Sequence, residues 1–199
     1  MTAQTCDHLC YSGLTLALAD EPLWPWLQSR KNRKLYHFLR RSTANWRGYH
    51  GYWELRDGKL YLTKLSGRLR VFKENEWVDN TQDPLDELFP GHDGPVFASW
   101  FSGVLRCHVG NLLRYVHMGY SSVFEFDLFF QIKQGRQYMM WMKRNELPEE
   151  NDDFDLFDFD GPDEKWDSTV VPLEPKAQGF KGLLAFEQSL VIANDDRPA

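Results

Sequence analysis

The alternation of apolar and polar residues divides the chain into strand-like runs separated by turn signals. Leu14, Leu16 and Leu18 alternate with small or polar residues, the period of two expected of a strand. Pro22 and Pro25 then punctuate a turn, or a single helical turn, carrying Trp24, Trp26 and Leu27. Residues 28–41 read as a loop leading into a short basic helix or an extended segment, because Leu35, Phe38 and Leu39 recur at helical spacing. From residue 46 the period is two again. Tyr49, Gly51, Trp53 and Leu55 share one face, and Leu60 and Leu62 share the next. Asp57-Gly58 lies between these runs and predicts a two-residue hairpin, since both central positions of a type I′ turn need positive φ. Ser66-Gly67 suggests a second turn before Leu69 and Val71, so the region predicts a three-stranded meander closing at Trp77.

Residues 79–95 are turn-rich, with a helical turn expected over Pro84–Leu88. A second β region follows, with strands expected at Val96–Cys107, Leu112–His117, Ser122–Lys133 and Arg136–Lys143. Turns are expected at 108–111 and 133–136. Leu183, Leu184, Phe186, Leu190 and Val191 suit a C-terminal helix over 183–192. The expected fold is mainly β with minor α: an antiparallel meander sheet or half-open barrel with one or two short flanking helices. One domain suits 199 residues, with a β core over about 46–143 and an acidic loop or insert over about 146–167.

Composition narrows the function. Aromatic residues make up 15%, which favours strands and supplies large buried rings. The net charge of −6 opposes general binding to phosphate backbones. A basic run does occur at Arg30, Lys31, Arg33, Lys34, Arg40 and Arg41, interleaved with Tyr36, His37 and Phe38. It has the makings of a small nucleic-acid patch, which the overall acidity disfavours. Three cysteines fit a reducing compartment better than a disulfide framework. No basic stretch followed by an apolar run opens the chain, and no run approaches the length of a membrane span. A cytoplasmic location without membrane attachment is therefore expected.

Cys6, His8 and Cys10 have the look of a partial metal site, but no second pair at zinc-ligand spacing accompanies them. No metal and no cofactor is expected, and neither phosphate-cradling loop motif is present. Ser102 lacks the context of a nucleophile elbow. Catalysis would fall to His117 and Glu125 as an acid–base pair, with Arg114 or Arg47 holding an anionic substrate. The most unusual stretch is 146–167, with eleven acids, one base, and Phe154, Phe157, Phe159 and Trp166 among them. Asp152, Asp153, Phe154, Asp155, Phe157, Asp158, Phe159 and Asp160 suit a docking surface for a basic protein partner. Rings would serve as anchors and carboxylates as a steering field.

Three stretches carry a resemblance: Ser42–Tyr49 running into Tyr52-Trp53-Glu54, then Trp100–Gly103, then Tyr115–Tyr120. Their wording resembles a family of small bacterial cytosolic proteins with no assigned activity. It implies a bacterial source and a shared β-rich core, and no catalytic residue to carry over. The leading expectation is a cytosolic protein-binding module of the immunity or antitoxin type, inhibiting a bacterial toxin or effector. The alternative is a small enzyme acting on an anionic small molecule or nucleotide through His117 and Glu125. A structural accessory module is the third.

Overall fold

The computed structural model describes residues 2–146 and the strand Val170–Leu173. In chain order the strands are β1 (Asp7–Tyr11), β2 (Leu14–Leu18), β3 (Tyr36–Phe38), β4 (Tyr49–Arg56), β5 (Lys59–Gly67), β6 (Leu69–Lys73) and β7 (Glu76–Asp79). They continue with β8 (Val96–Phe97), β9 (Gly103–Arg114), β10 (Val123–Lys133), β11 (Arg136–Arg144) and β12 (Val170–Leu173). Two short helices, α1 (Trp24–Leu27) and α2 (Pro84–Leu88), complete a mainly β fold with minor α.

The larger sheet runs β12-β11-β10-β9-β2-β1-β4-β5-β8. It curls until Arg136 of β11 pairs with Lys59 of β5. Among the described residues β11, β10, β9, β2, β1, β4 and β5 thus form a ring, closed at a single bridge. Neighbours are antiparallel except β1 and β4, which run parallel with α1 and β3 in the crossover between them. The expected core began near residue 46; the sheet in fact begins at Asp7. Inward-facing residues follow the period of two: Leu9 on β1, Leu16 and Leu18 on β2, Tyr49, Trp53 and Leu55 on β4, Leu105 and Cys107 on β9, Leu128 and Phe130 on β10. Each fully buried Leu or Phe among them contributes about 1.5–3 kcal/mol of transfer free energy.

The Asp57-Gly58 hairpin forms as the residue pattern predicts. Both residues have positive φ, 52° and 66°, and Arg56 pairs with Lys59 across them. The three-stranded meander does not form. β6 leaves β5 after Gly67 and pairs instead with β3 and β7 in a separate three-stranded sheet. Leu69 and Val71 are still buried in the common core. Their apolar alternation reported burial, and burial does not specify the pairing partner. The turn expected at 108–111 is a bulge inside β9. Gly110, at φ +81°, lets the chain continue while Glu125 folds over it, and the β9–β10 register shifts there. The expected strand over Val96–Cys107 splits into β8 and β9, and β9 takes in the start of the strand expected at Leu112–His117. The basic segment takes the extended alternative: a 3₁₀ turn at Asn32–Lys34 followed by β3. The helix expected over 183–192 and the acidic stretch 149–167 lie outside the described residues.

Candidate functional site

A cavity of about 640 Å³, within the size range of small-molecule sites, lies beside β3 of the small sheet. Its walls come from α1, the 3₁₀ turn, β3 and the loop before β4. Trp24 and Leu27 of α1 and its C-cap residue Gln28 line it at spacings of three and four, so one helical face serves the wall. Leu27 is buried and Trp24 is 45% exposed. β3 is an edge strand of the small sheet, and Tyr36, His37 and Phe38 all reach the cavity. Arg33, Lys34 and Arg40 flank them, all exposed. Among the described residues none of these three cations has an ion-pair partner.

The loop 42–47 supplies Trp46 and Arg47. It is pinned from the N-terminal segment. The Thr5 N–H donates to the Ala44 carbonyl at 2.8 Å, and the Gln4 side-chain oxygen accepts from the Trp46 N–H at 2.8 Å. Asn45 Oδ1 accepts from the Gly48 N–H at 3.1 Å, closing the turn. Trp46 stands 43% exposed, and the Arg47 side chain is 1% exposed.

Arg47 continues the inward phase of β4, with Tyr49, Gly51 and Trp53 following at two-residue steps. Its Nη2 donates to Asp7 Oδ1 at 2.7 Å, and its Nη1 donates to the Tyr120 oxygen. The Tyr120 hydroxyl donates to Glu21 Oε1 at 3.0 Å, and Arg47 Nη1 lies 3.8 Å from that oxygen. Asp7, wholly buried, also accepts from the Gly51 N–H at 2.9 Å and the Trp53 indole N–H at 3.0 Å. Three donors converge on this acceptor-only group, so it is a satisfied carboxylate. Gly51 has no room for a side chain, because a Cβ there would stand 2.5 Å from the Trp53 indole nitrogen and 2.6 Å from Asp7 Oδ2. Burial pushes the Asp7 carboxyl up, while Arg47 and the hydrogen bonds pull it back. Burial opposes the Arg47 charge too, but Asp7, Tyr120 and Glu21 outweigh it and hold the guanidinium above its ordinary value. Arg47 Nε is buried with no hydrogen-bond partner among the described residues, and Arg47 forms part of the cavity wall.

Of the residues singled out for catalysis, only Arg47 lines this cavity. His117 is exposed, with Nδ1 3.1 Å from the Tyr115 hydroxyl. Glu125 accepts from the Asn111 N–H and side-chain amide at 2.8 and 3.0 Å, and these bonds lower its pKa. Arg114 is exposed at the end of β9. Among the described residues these four share no hydrogen bond or ion pair with one another. Asp152 to Asp160 lie outside the described residues. Cys6 is partly buried, and burial pushes its thiol up to about 11, so it is protonated and weakly nucleophilic at neutral pH. His8 stacks on Tyr52 at 4.9 Å. No three His, Cys, Asp or Glu side chains among the described residues gather closely enough to hold a metal ion.

A second polar cluster went unnoticed in the sequence. On the outer side of β9 and β10, His108 Nδ1 lies 2.8 Å from Asp127 Oδ1, Asn145 donates to Asp127 Oδ2 at 2.9 Å, and the imidazole stacks on Phe124. Cross-strand pairing of His108 with Asp127 creates it, and that register depends on the bulge at Gly110. No helix among the described residues is long and apolar enough to cross a membrane. Comparison of the chain with protein-family models, curated proteins and solved structures finds no match. The bacterial resemblance therefore stands on its three motifs alone.

Proposed function

We propose that this protein is a binding module whose cavity between α1, β3 and the 42–47 loop takes an anionic ligand. The observation that carries the reading is the wall itself. Arg33, Lys34 and Arg40 converge on one cavity, without carboxylate partners among the described residues, beside two half-exposed indoles. Cations left unpaired in a concave, partly apolar site concentrate field lines and attract an opposite charge. In a chain of net charge −6 this local excess is set against the overall balance. Binding is favoured over catalysis because no serine, threonine or cysteine joins His37 in the wall among the described residues. The side chains nearest the Arg47 end are engaged with one another.

The test is intrinsic tryptophan fluorescence titrated with small anions, for the wild type and for R33E/K34E/R40E. All three positions are exposed, so the variant should melt as the wild type does. The wild type should show a saturable change that weakens with salt, and the variant none. Equal responses from both proteins would contradict the assignment.

A second reading remains the immunity or antitoxin type inhibitor of a toxin or effector, held in the bacterial cytoplasm. It is favoured by the acids and aromatic anchors at Asp152, Asp153, Phe154, Asp155, Phe157, Asp158, Phe159 and Asp160. A basic protein partner would dock on that segment, leaving the cavity to its own ligand.

A further inference from the structure

We infer that the ligand of this cavity is a nucleoside monophosphate: a flat ring, a sugar with free hydroxyls, and a phosphate. The inference rests on the anionic-ligand reading and narrows it by four observations.

The first is charge. Three cations with no ion-pair partner among the described residues line the cavity. A monocarboxylate would leave most of that field unanswered, whereas a phosphate carries close to two charges at neutral pH and offers three acceptor oxygens. The second is the pair of indoles. Trp24 and Trp46 come from different segments yet line the same cavity, 45% and 43% exposed. Indole faces held in reach of solvent beside cations suit stacking of a base. The third is Glu21. A carboxylate in a cationic wall repels a bare anion. It is suited to accept from sugar hydroxyls, as acidic residues do at ribose in dinucleotide sites. Among the described residues only its Oε1 is engaged, by Tyr120 and Arg47, and its side chain is 29% exposed. The fourth is size. About 640 Å³ is far more than inorganic phosphate needs. The net charge of −6 disfavours a polymer of phosphates.

The test is calorimetric titration of the full chain with adenosine, guanosine, cytidine and uridine 5′-monophosphates. Parallel titrations use the free nucleosides, ribose 5-phosphate, inorganic pyrophosphate and a short single-stranded oligonucleotide. At least one monophosphate should bind saturably, and at least ten-fold more tightly than its nucleoside or ribose 5-phosphate. Trp24→Ala and Trp46→Ala should each weaken it about 5- to 150-fold, the equivalent of stacking one base. Glu21→Gln should weaken the ribonucleotide and leave the 2′,3′-dideoxy analogue unaffected. If ribose 5-phosphate or pyrophosphate binds as tightly as the monophosphates, the nucleoside assignment falls and the anionic reading stands. If the oligonucleotide binds more tightly, the site reads a strand and the assignment also falls. If no anion binds, or the neutral nucleoside binds equally well, both readings fall together.

Discussion

Asp7 is the acceptor that holds Arg47 of the cavity wall, and replacing it should cost more than any surface change nearby. Asp7→Ala strands three donors at once: Arg47 Nη2, the Gly51 N–H and the Trp53 indole N–H. The Arg47 charge stays buried, since its side chain is 1% exposed and Asp7 is 0%. Breaking a buried ion pair from one side typically costs about 3–5 kcal/mol. Each stranded neutral donor is worth about 1–3 kcal/mol, though these losses do not simply add. We expect a loss of about 3–5 kcal/mol, or a drop of roughly 6–20 °C in melting temperature for a chain of this size. The double variant Asp7→Leu with Arg47→Met removes both charges. It should fall short of the sum of its single variants by at least about 1.5 kcal/mol. Urea denaturation with matched slopes measures Asp7→Ala and the four proteins of the cycle. A loss below about 1 kcal/mol for Asp7→Ala, or strict additivity in the cycle, would refute the reasoning.

The same cluster gives a steric prediction: Gly51→Ala should destabilise by about 1–3 kcal/mol, because its methyl group must displace the Trp53 indole or the Asp7 carboxylate; wild-type stability in urea would contradict this. Asp20 gives a pH prediction. Burial pushes its carboxyl up to about 6, against the pull of the Arg106 N–H that it accepts. The folded state therefore holds this proton more tightly than the unfolded chain, whose Asp titrates near about 3.9. Its contribution is full below about pH 4 and is lost as pH rises through about 6. Asp20→Asn keeps the acceptor and loses the titration, so its stability relative to wild type should climb by on the order of 1–2 kcal/mol from pH 4 to pH 7; a flat difference in urea titrations across that range would refute the assignment. Finally, charge reversal at Asp152, Asp153, Asp155, Asp158 and Asp160 should abolish capture of a basic partner in a pull-down while leaving melting unchanged, and undiminished capture would sink the inhibitor reading.

Much of the fold was legible because it depends on local rules. Asp57-Gly58 specified its hairpin through the φ values that those two residues tolerate, and Leu16 and Leu18 declared an inward face through their spacing. Pairing was not legible. Leu69 and Val71 alternate as β5 does, yet their hydrogen bonds go to β3 and β7, a choice made by chain geometry after Gly67. The parallel β1–β4 contact joins residues more than forty positions apart, and no local signal announces it. The site was half legible for the same reason. The basic run and Trp24 stood out by composition, and Arg47 was named as an anion holder. That α1, β3 and the 42–47 loop would enclose one cavity required the crossover. Nothing local marks Asp7, whose partners lie at positions 47, 51 and 53. The bulge at Gly110 was mistaken for a turn, which hid the pairing of His108 with Asp127.

The central claim is that a defined cavity binds an anion, and the indole N–H resonances report on it position by position. Trp24 and Trp46 line the cavity. Trp141 lies outside that lining, on β11, stacked on Phe129 at 5.1 Å, and Trp53 is buried against Asp7. In a ¹⁵N-resolved NMR titration with a nucleoside monophosphate, assigned by single Trp→Phe variants, the Trp24 and Trp46 signals should move together and saturate. Trp141 should stay in place. Movement of Trp141 equal to theirs, or no movement at Trp24 and Trp46 at millimolar ligand, would contradict the account.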